Sequence, residues 1–449
     1  MEFEPLVKKY DKPVPRYTSF PAMPHWRIED FESKDWPKQV KAGFQATTEE
    51  GISLYIHLPY CESLCTYCGC NTRITVNHAV ELPYIHGLLA EWKLYLKALG
   101  SKPVIREIHL GGGTPTFFSA ENLEFLIRSI LNTAGLHPDH AFSLEGHPGN
   151  TSYEHLQALY RVGFRRVSYG IQDFDLKVQK AINRIQTYDE VKRVTDWARK
   201  IGYESVNFDL IYGLPFQTEE SIRKTVSHVA ELMPDRIAYY SYAHVPWFKP
   251  GQRAYSEDDL PKGEAKRRLN ALGRDELLKL GYKDIGMDHF ALPGDALYLA
   301  MQSGQLHRNF MGYTEHNSSF MIGLGTSAIS DLGIAYGQNV KTVENYIDLV
   351  DSGQLPVFKG HMMSAFEQDS RAMILNIICN RWMNKADVEA LPEDRKLIFK
   401  EMISEGLIIG EWDDYKVSEK GIQFLRNICS VFDPNFGNQP SKKLFSQAV

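Results

Sequence analysis

Four of the six cysteines, Cys61, Cys65, Cys68 and Cys70, fall within ten residues, directly after the run Tyr55-Ile56-His57-Leu58-Pro59-Tyr60. A disulfide framework would spread its cysteines along the chain, so this crowding points to metal. Thiolates at Cys61, Cys65 and Cys68, with gaps of three and two residues between them, can wrap one loop around three corners of a cubane iron–sulfur cluster. The fourth iron then has no protein ligand, which is what a reactive cluster requires. Zinc is the competing reading, but zinc normally takes two paired ligand arms well apart in sequence, and no second arm is present. Chance clustering is the third. Cys70 is expected beside the cluster without ligating it, because a fourth thiolate would close the open iron. Cys379 and Cys429 stand alone among apolar neighbours and are expected as buried, inert core thiols.

An open iron can be chelated by the amino and carboxylate groups of an amino acid. S-Adenosylmethionine offers both, and docking there brings its sulfonium close enough to take an electron and break into methionine and a 5'-deoxyadenosyl radical. Further along, Gly111-Gly112-Gly113-Thr114-Pro115-Thr116 follows the apolar run Ile105–Leu110. Glycines at a strand end let a ligand's polar groups reach backbone N–H and C=O. A tight turn would use the same residues. Its place one strand after the cysteine loop makes it the natural partner for the methionyl amino group.

The elements that must position these groups begin at Ile52. Short apolar runs, each read as a buried strand, alternate with amphipathic segments: Ile52–Leu58 then Tyr84–Leu99, Ile105–Leu110 then Ala120–Leu131, Ala141–Glu145 then Tyr153–Val162. The alternation continues through Arg166–Gly170, Val206–Ile211, Ile237–Tyr242 and Asp284–Met287. This predicts an α/β fold with a parallel sheet, closed fully or partly as a TIM-like barrel, with chemistry on the loops at the C-terminal strand ends. Residues 1–50 read as an N-terminal arm, rich in proline up to Pro21, with a short helix around Trp36–Phe44. Residues 51–330 read as the barrel. After about Ser330 the strand rhythm stops, and residues 331–449 read as a mostly helical C-terminal domain with a small hairpin at Gly406–Ile409 and Tyr415–Val417.

The 449 residues allow one large catalytic domain and a smaller one. With 50 Lys and Arg against 56 Asp and Glu, the net charge is -6, so the whole molecule repels nucleic acid and anionic membranes. An anionic substrate must therefore meet a local concentration of Arg, Lys or His. No apolar stretch has the length of a signal peptide or a membrane span, so the default location is cytoplasmic.

Taken together, these residues resemble the radical S-adenosylmethionine superfamily and, within it, the oxygen-independent coproporphyrinogen III oxidase (dehydrogenase) family. The marks are Cys68-Gly69-Cys70, the arm Pro13-Val14-Pro15-Arg16-Tyr17-Thr18-Ser19, Gly170-Ile171-Gln172-Asp173-Phe174, and the run Asn207 to Pro215. Gly286-Met287-Asp288-His289-Phe290-Ala291, His307-Arg308-Asn309-Phe310 with Gly312-Tyr313-Thr314, and Arg426-Asn427-Ile428-Cys429 continue them almost to the end. The resemblance implies a partial (β/α)6 barrel of the radical SAM type, carrying one [4Fe-4S] cluster on Cys61, Cys65 and Cys68 and two S-adenosylmethionine molecules. The first would touch Tyr55, Tyr67, Gly112, Glu145 and Ile329; the second Gly113, Thr114, Gln172, Arg184, Asp209 and Ala243. Carboxylates such as Glu145 and Asp209 can accept from an ammonium or ribose hydroxyls, and Arg184 can pair with a methionine carboxylate. After Glu145 the chain departs from the family pattern with Gly146-His147-Pro148.

The implied reaction converts two propionates of coproporphyrinogen III to vinyl groups, giving protoporphyrinogen IX without oxygen. The deoxyadenosyl radical takes a hydrogen from the carbon next to the ring, and loss of carbon dioxide and one electron follows. Glu145, His57 and Cys70 are the catalytic expectations, and Arg16, His57, His307 and Arg308 are nominated for the substrate's carboxylates. An electron donor, an electron acceptor and a monomeric state are expected, with no nucleic-acid or membrane partner. The rivals are a haem-handling methyltransferase of the same superfamily and a non-enzymatic haem chaperone, although such chaperones usually lack an equivalent of Cys70.

Overall fold

The computed structural model describes residues 4–47, 50–316, 318–411 and 414–436. The first three residues of the expected arm and residues 437–449 of the expected C-terminal domain lie outside the described residues. Six strands, β1 (Ile52–Leu58), β2 (Val104–Gly112), β3 (Gly135–Gly146), β4 (Phe164–Gln172), β5 (Ser205–Tyr212) and β6 (Arg236–Ser241), pair in parallel in sequence order. Helices α1 (Glu81–Leu99), α2 (Ala120–Leu131), α3 (Tyr153–Arg161), α4 (Tyr188–Ile201), α5 (Glu219–Leu232) and α6 (Gly263–Lys279) follow the strands in turn. The result is a partial (β/α)6 barrel.

Strand parity explains how one sequence serves both a core and a site. In β1, Ile52, Leu54, Ile56 and Leu58 are fully buried in the main apolar core. The alternate residues Ser53, Tyr55 and His57 turn to polar partners: Ser53 Oγ donates to Glu107 Oε2 at 2.6 Å, and Tyr55 stacks on His109. The helices are held at their N-termini by capping boxes, Ser152 with His155 ahead of α3, Thr187 with Glu190 ahead of α4, and Thr218 with Ser221 ahead of α5.

The flanks of the barrel differ from the strand rhythm expected from sequence. Beyond β6, strands β7 (Lys283–Gly286) and β8 (His289–Ala291) form an antiparallel hairpin, so the expected strand at Asp284–Met287 does not continue the parallel set. Met287 and Asp288 turn the chain in positive-φ conformations after only two residues, too short for a crossover. At the other flank, β9 (Met321–Leu324) pairs parallel with β1, and then β10 (Ile329–Asp331), β11 (Ala335–Asn339) and β12 (Val357–Met362) add antiparallel. The expected end of the strand rhythm at Ser330 is therefore corrected: the twelve-stranded sheet runs to Met362. Gly337, Gln338 and Asn339 interrupt the apolar pattern of β11, which hides it from a hydropathy reading. Helix α7 (Val343–Asp351) packs on α1.

A second core gathers α8 (Ala365–Asn380), α9 (Glu393–Ser404) and α10 (Leu425–Val431) around Ile374, Ile378, Phe399 and Ile428. Tyr10, Val14, Tyr17 and Phe20 of the N-terminal arm belong to this same core, as do the buried Cys379 and Cys429. The expected small hairpin is there, Ile408–Glu411 with Asp414–Val417, and Trp382–Met383 adds a third strand. The expected short helix of the arm spans Trp36–Gln45. Among the described residues no helix is long and apolar enough to cross a membrane.

Candidate active site

The C-terminal ends of β2 to β6 converge on a cavity of about 380 Å³ roofed by the loop that follows β1. Cys61, Cys65, Cys68 and Cys70 all line it. Each of the first three sulfurs has a polar neighbour suited to an anionic thiolate. Cys61 Sγ pairs with Thr114 Oγ1 at 3.3 Å, Cys65 Sγ accepts from Arg184 Nη1 at 3.7 Å, and Cys68 Sγ accepts from the Cys70 N–H at 3.4 Å. The Cys68 thiol is drawn down to about 6, first by hydrogen bonding with Cys70, while burial pushes Cys61 up to about 11. Among the described residues no three His, Cys, Asp or Glu side chains meet as the ligands of a single ion would. A cubane asks for less convergence, because its thiolates sit on separate iron corners. The donor set fits a cluster held by three thiolates, with Cys70 lending a backbone N–H to one of them.

The loop itself is pinned from below. Asn183 Nδ2 donates to Leu64 O at 2.8 Å and the Thr66 N–H to Ile182 O at 2.9 Å. Gln252 Nε2 reaches Tyr67 O at 3.2 Å and Lys249 Nζ reaches Cys70 O at 3.1 Å. Tyr67 lines the cavity and packs toward Val178, Ile182 and Ile211.

Beside the cysteine loop lies the glycine turn, in which Gly112, Gly113 and Thr114 all line the cavity. A Cβ on Gly113 would stand 2.6 Å from Pro59 O, and one on Gly112 2.7 Å from the His57 ring, so only glycine lets this turn lie against the cysteine loop. Glu145, at the end of β3, accepts from the Gly112 N–H and from His109 Nε2, each at 3.3 Å. Burial would raise its carboxyl, but the His109 contact and the Gly112 N–H outweigh it and hold it below the usual value. His109 is fixed in turn by Ser143 Oγ at 2.8 Å and by the Tyr55 ring, whose centroid is 6.0 Å away and tilted by 17°.

His57 is placed differently from its sequence expectation. Its Nε2 meets Asn71 O at 2.8 Å and its Nδ1 takes the Tyr55 hydroxyl at 3.1 Å, so both nitrogens are engaged. Burial lowers its pKa. The ring lies under Gly112, and neither His57 nor Tyr55 is on the cavity wall.

Gln172, Arg184 and Asp209 face the same cavity. Gln172 adopts a positive φ of 67°, and Arg184 Nε and Nη2 both donate to Gly170 O, at 3.0 and 2.7 Å. This leaves the guanidinium between Cys65 and the end of β4. Asp209 accepts from Ser168 Oγ at 3.1 Å and Asn207 Nδ2 at 2.9 Å. Burial and the nearby Glu145 push it up to about 6. Ala243 and Ile329 are not brought to this wall. Ala243 is exposed, with its carbonyl accepting from Gln252, and Ile329 packs toward Trp26, Tyr336 and Met363.

Three further residues were given no role from sequence. His147, the departure after Glu145, lines the cavity, and burial together with Arg184 drives it down to about 3, so it is neutral. Tyr240 lines both this cavity and a second one of about 150 Å³ inside the barrel. His109 is the third. Its signal lies in strand parity: Glu107, His109 and Gly111 share one face of β2, and His109 is in register with Ser143 on β3.

Comparisons with known proteins place the chain in a family. A family model described as the radical SAM superfamily matches residues 55–229. The oxygen-independent coproporphyrinogen III oxidase of Synechocystis sp. is 35% identical, over 99% of this chain and 97% of that protein. That of Pseudomonas aeruginosa is 37% identical over 95% of each. The solved structure of coproporphyrinogen III oxidase from Escherichia coli, described as a radical SAM enzyme, superposes with a TM-score of 0.88 at 33% identity, covering 96% of this chain and 99% of that one. On that near full-length likeness, the chain belongs to the oxygen-independent coproporphyrinogen III oxidase family of radical SAM proteins.

Proposed function

We propose that this chain is an anaerobic coproporphyrinogen III oxidase, which turns two propionate side chains of coproporphyrinogen III into vinyl groups and yields protoporphyrinogen IX. As a family member it uses a [4Fe-4S] cluster and S-adenosylmethionine. The observation that carries the reading is the wall of three thiols, each with its own polar neighbour, in one cavity with the glycine turn and Glu145. When bound, the cluster and S-adenosylmethionine supply a carbon radical that removes a hydrogen atom from the propionate carbon next to the ring.

The chain's own groups bind and orient. Cys61, Cys65 and Cys68 hold the cluster, and the Cys70 N–H supports Cys68. The Gly112–Thr114 turn and ionised Glu145 receive the methionyl ammonium, while Arg184 is placed for a carboxylate and Asp209 for ribose hydroxyls. Gln172 supports a second S-adenosylmethionine, as two propionates react. His57, with both nitrogens engaged, is a positioning residue beneath Gly112. Ala243 and Ile329 serve through the backbone at the margins of the site. The cavity walls exclude water from the reacting carbon.

Each decarboxylation releases carbon dioxide and leaves one electron to an acceptor, and a separate donor reduces the cluster. We further place the enzyme in the cytoplasm as a monomer. We draw its working division between an arm to residue 50, a barrel and a C-terminal domain, with β11 and β12, which follow Ser330, counted with the barrel sheet.

The test is an anaerobic assay of reconstituted protein with reductant, S-adenosylmethionine and coproporphyrinogen III. Two vinyl groups and two carbon dioxide per product, with 5'-deoxyadenosine, are expected. Methylated tetrapyrrole, or haem retained without turnover, would overturn the reading. In the same preparations Cys61→Ser should lose most bound iron and sulfide, whereas Cys70→Ser should retain them.

A further inference from the structure

The strand His307–Asn309 carries three consecutive buried polar side chains, with 9%, 6% and 4% of their surfaces exposed. Each has a buried polar atom without a hydrogen-bond partner: His307 Nε2, Arg308 Nε and Nη1, and Asn309 Nδ2. Asn309 spends its oxygen on the Met311 N–H at 2.8 Å, which leaves its amide as a donor. Arg308 is the most demanding of the three, because a guanidinium carries a full charge and five N–H donors into a region of low dielectric.

Other, half-buried arginines show how this chain normally meets that demand. Arg371 forks onto Asp331 at 2.9 and 2.6 Å, Arg236 pairs with Asp295 at 2.7 Å, and Arg166 pairs with Glu315 at 2.6 Å. Arg308 has no such carboxylate among the described residues. Its guanidinium lies over the Tyr313 ring, 4.6 Å from the centroid. The groups within reach of its charge are the Tyr240 hydroxyl, the His289 imidazole and the thiols of Cys379 and Cys429. Burial and Arg308 keep His289 neutral, with its pKa lowered to about 3, and burial pushes the Cys379 thiol up to about 12. None of these groups gives Arg308 a carboxylate to pair with.

Its position gives the ligand class. Tyr240, on the wall of the cysteine-lined cavity, meets His289 Nε2 at 3.4 Å, and Tyr313 and His289 line the interior cavity with it. On its other side Arg308 faces Tyr17–Phe20 of the arm, together with Arg371 and Ile374 of α8. A ligand held here would lie between the barrel mouth and the arm and present a planar, bidentate anion. We propose that Arg308, assisted by the Asn309 amide, forms the subsite for a substrate carboxylate, one of the propionates that the reaction leaves intact. This rests on the coproporphyrinogen reading above, whose substrate brings four carboxylates to a chain of net charge -6.

The test uses the reconstituted holoenzyme without air and two stable probes, coproporphyrin III and its uncharged tetra-amide, titrated by fluorescence quenching. Arg308→Gln should weaken coproporphyrin III binding by tenfold or more and leave the tetra-amide unchanged. Arg308→Lys, which keeps the charge but not the fork, should fall between. In turnover, KM for coproporphyrinogen III should rise more than kcat falls. Equal losses for acid and amide would mean a structural role and overturn the subsite, as would unaltered binding of the acid. Should Arg308→Gln fail to fold, Arg308→Lys and Asn309→Ala keep the comparison of the two probes open. Failure of the wild-type protein to make vinyl product would sink the functional reading instead, and is read independently of either probe.

Discussion

At the scale of single residues, the site is a set of carboxylates held in opposite protonation regimes. Glu145 is kept ionised by His109 and a backbone N–H, while Asp209, half-buried in the barrel mouth near Glu145, is raised to about 6. The folded state therefore binds the Asp209 proton more tightly than the unfolded chain, whose carboxyl titrates near 3.8. Folding gains nothing from this group at low pH and loses stability as pH rises through the folded value. Asp209→Asn should therefore stabilise the cofactor-free protein at pH 8, by at most about 3 kcal/mol at about 1.4 kcal/mol per pKa unit. The gain should shrink by roughly half at pH 5, as read from urea midpoints at both values. The same substitution should weaken S-adenosylmethionine binding.

The cysteine and glycine loops were legible in the sequence because their chemistry depends on local spacing, and local spacing survives in any fold. His109 was not, since a histidine in an alternating strand reads alike whether it faces a core or a cavity. Only its register with Ser143 and its approach to Glu145 give it a role. Ala243 and Ile329 came from resemblance alone, and no side-chain chemistry of their own could place them.

At the scale of elements, close approach is arranged by residues with nothing to pack. Gly273 in α6 is one: a Cβ there would stand within 2.4 Å of the Tyr239 hydroxyl, which donates to Leu269 O at 2.8 Å. In an exposed helix Gly→Ala stabilises by about 1 kcal/mol. Here Gly273→Ala should instead cost roughly 1–3 kcal/mol by overpacking, a reversal of sign visible in denaturant unfolding. Strands β1 to β6 and helices α1 to α3 could be read from hydropathy, although β3 begins six residues before the expected Ala141. Of the antiparallel additions, β7 could be read as a strand without its direction, and β8, β10, β11 and β12 could not be read, because short strands with glycine and polar residues have no periodicity of their own to show.

At the scale of the whole molecule, the two ends of the described chain are sewn together. Tyr10 Oη donates to Glu405 Oε2 at 2.6 Å, Asn427 Nδ2 to Tyr10 O at 2.9 Å, and Tyr17 Oη to Asp433 Oδ2 at 3.1 Å. Tyr10, Val14, Tyr17 and Phe20 thus complete the core formed by α8, α9 and α10. Deleting residues 1–21 should expose that core, lowering the thermal midpoint and opening α8 to α10 to limited proteolysis while the barrel core persists. A single undisturbed calorimetric transition in the truncated protein would contradict this. Sequence gave the arm and the C-terminal helices as separate stretches, and nothing short of the tertiary contacts could join them.

The pinning of the cysteine loop by Asn183, Gln252 and Lys249 bears on how the enzyme recovers from damage. Oxygen destroys an exposed iron–sulfur cube readily, yet the anchors that hold its cradle are ordinary amide, ammonium and carbonyl groups that survive the loss. A protein stripped by air would keep its binding cradle in shape, so repair becomes a matter of iron and sulfide delivery rather than of refolding the chain.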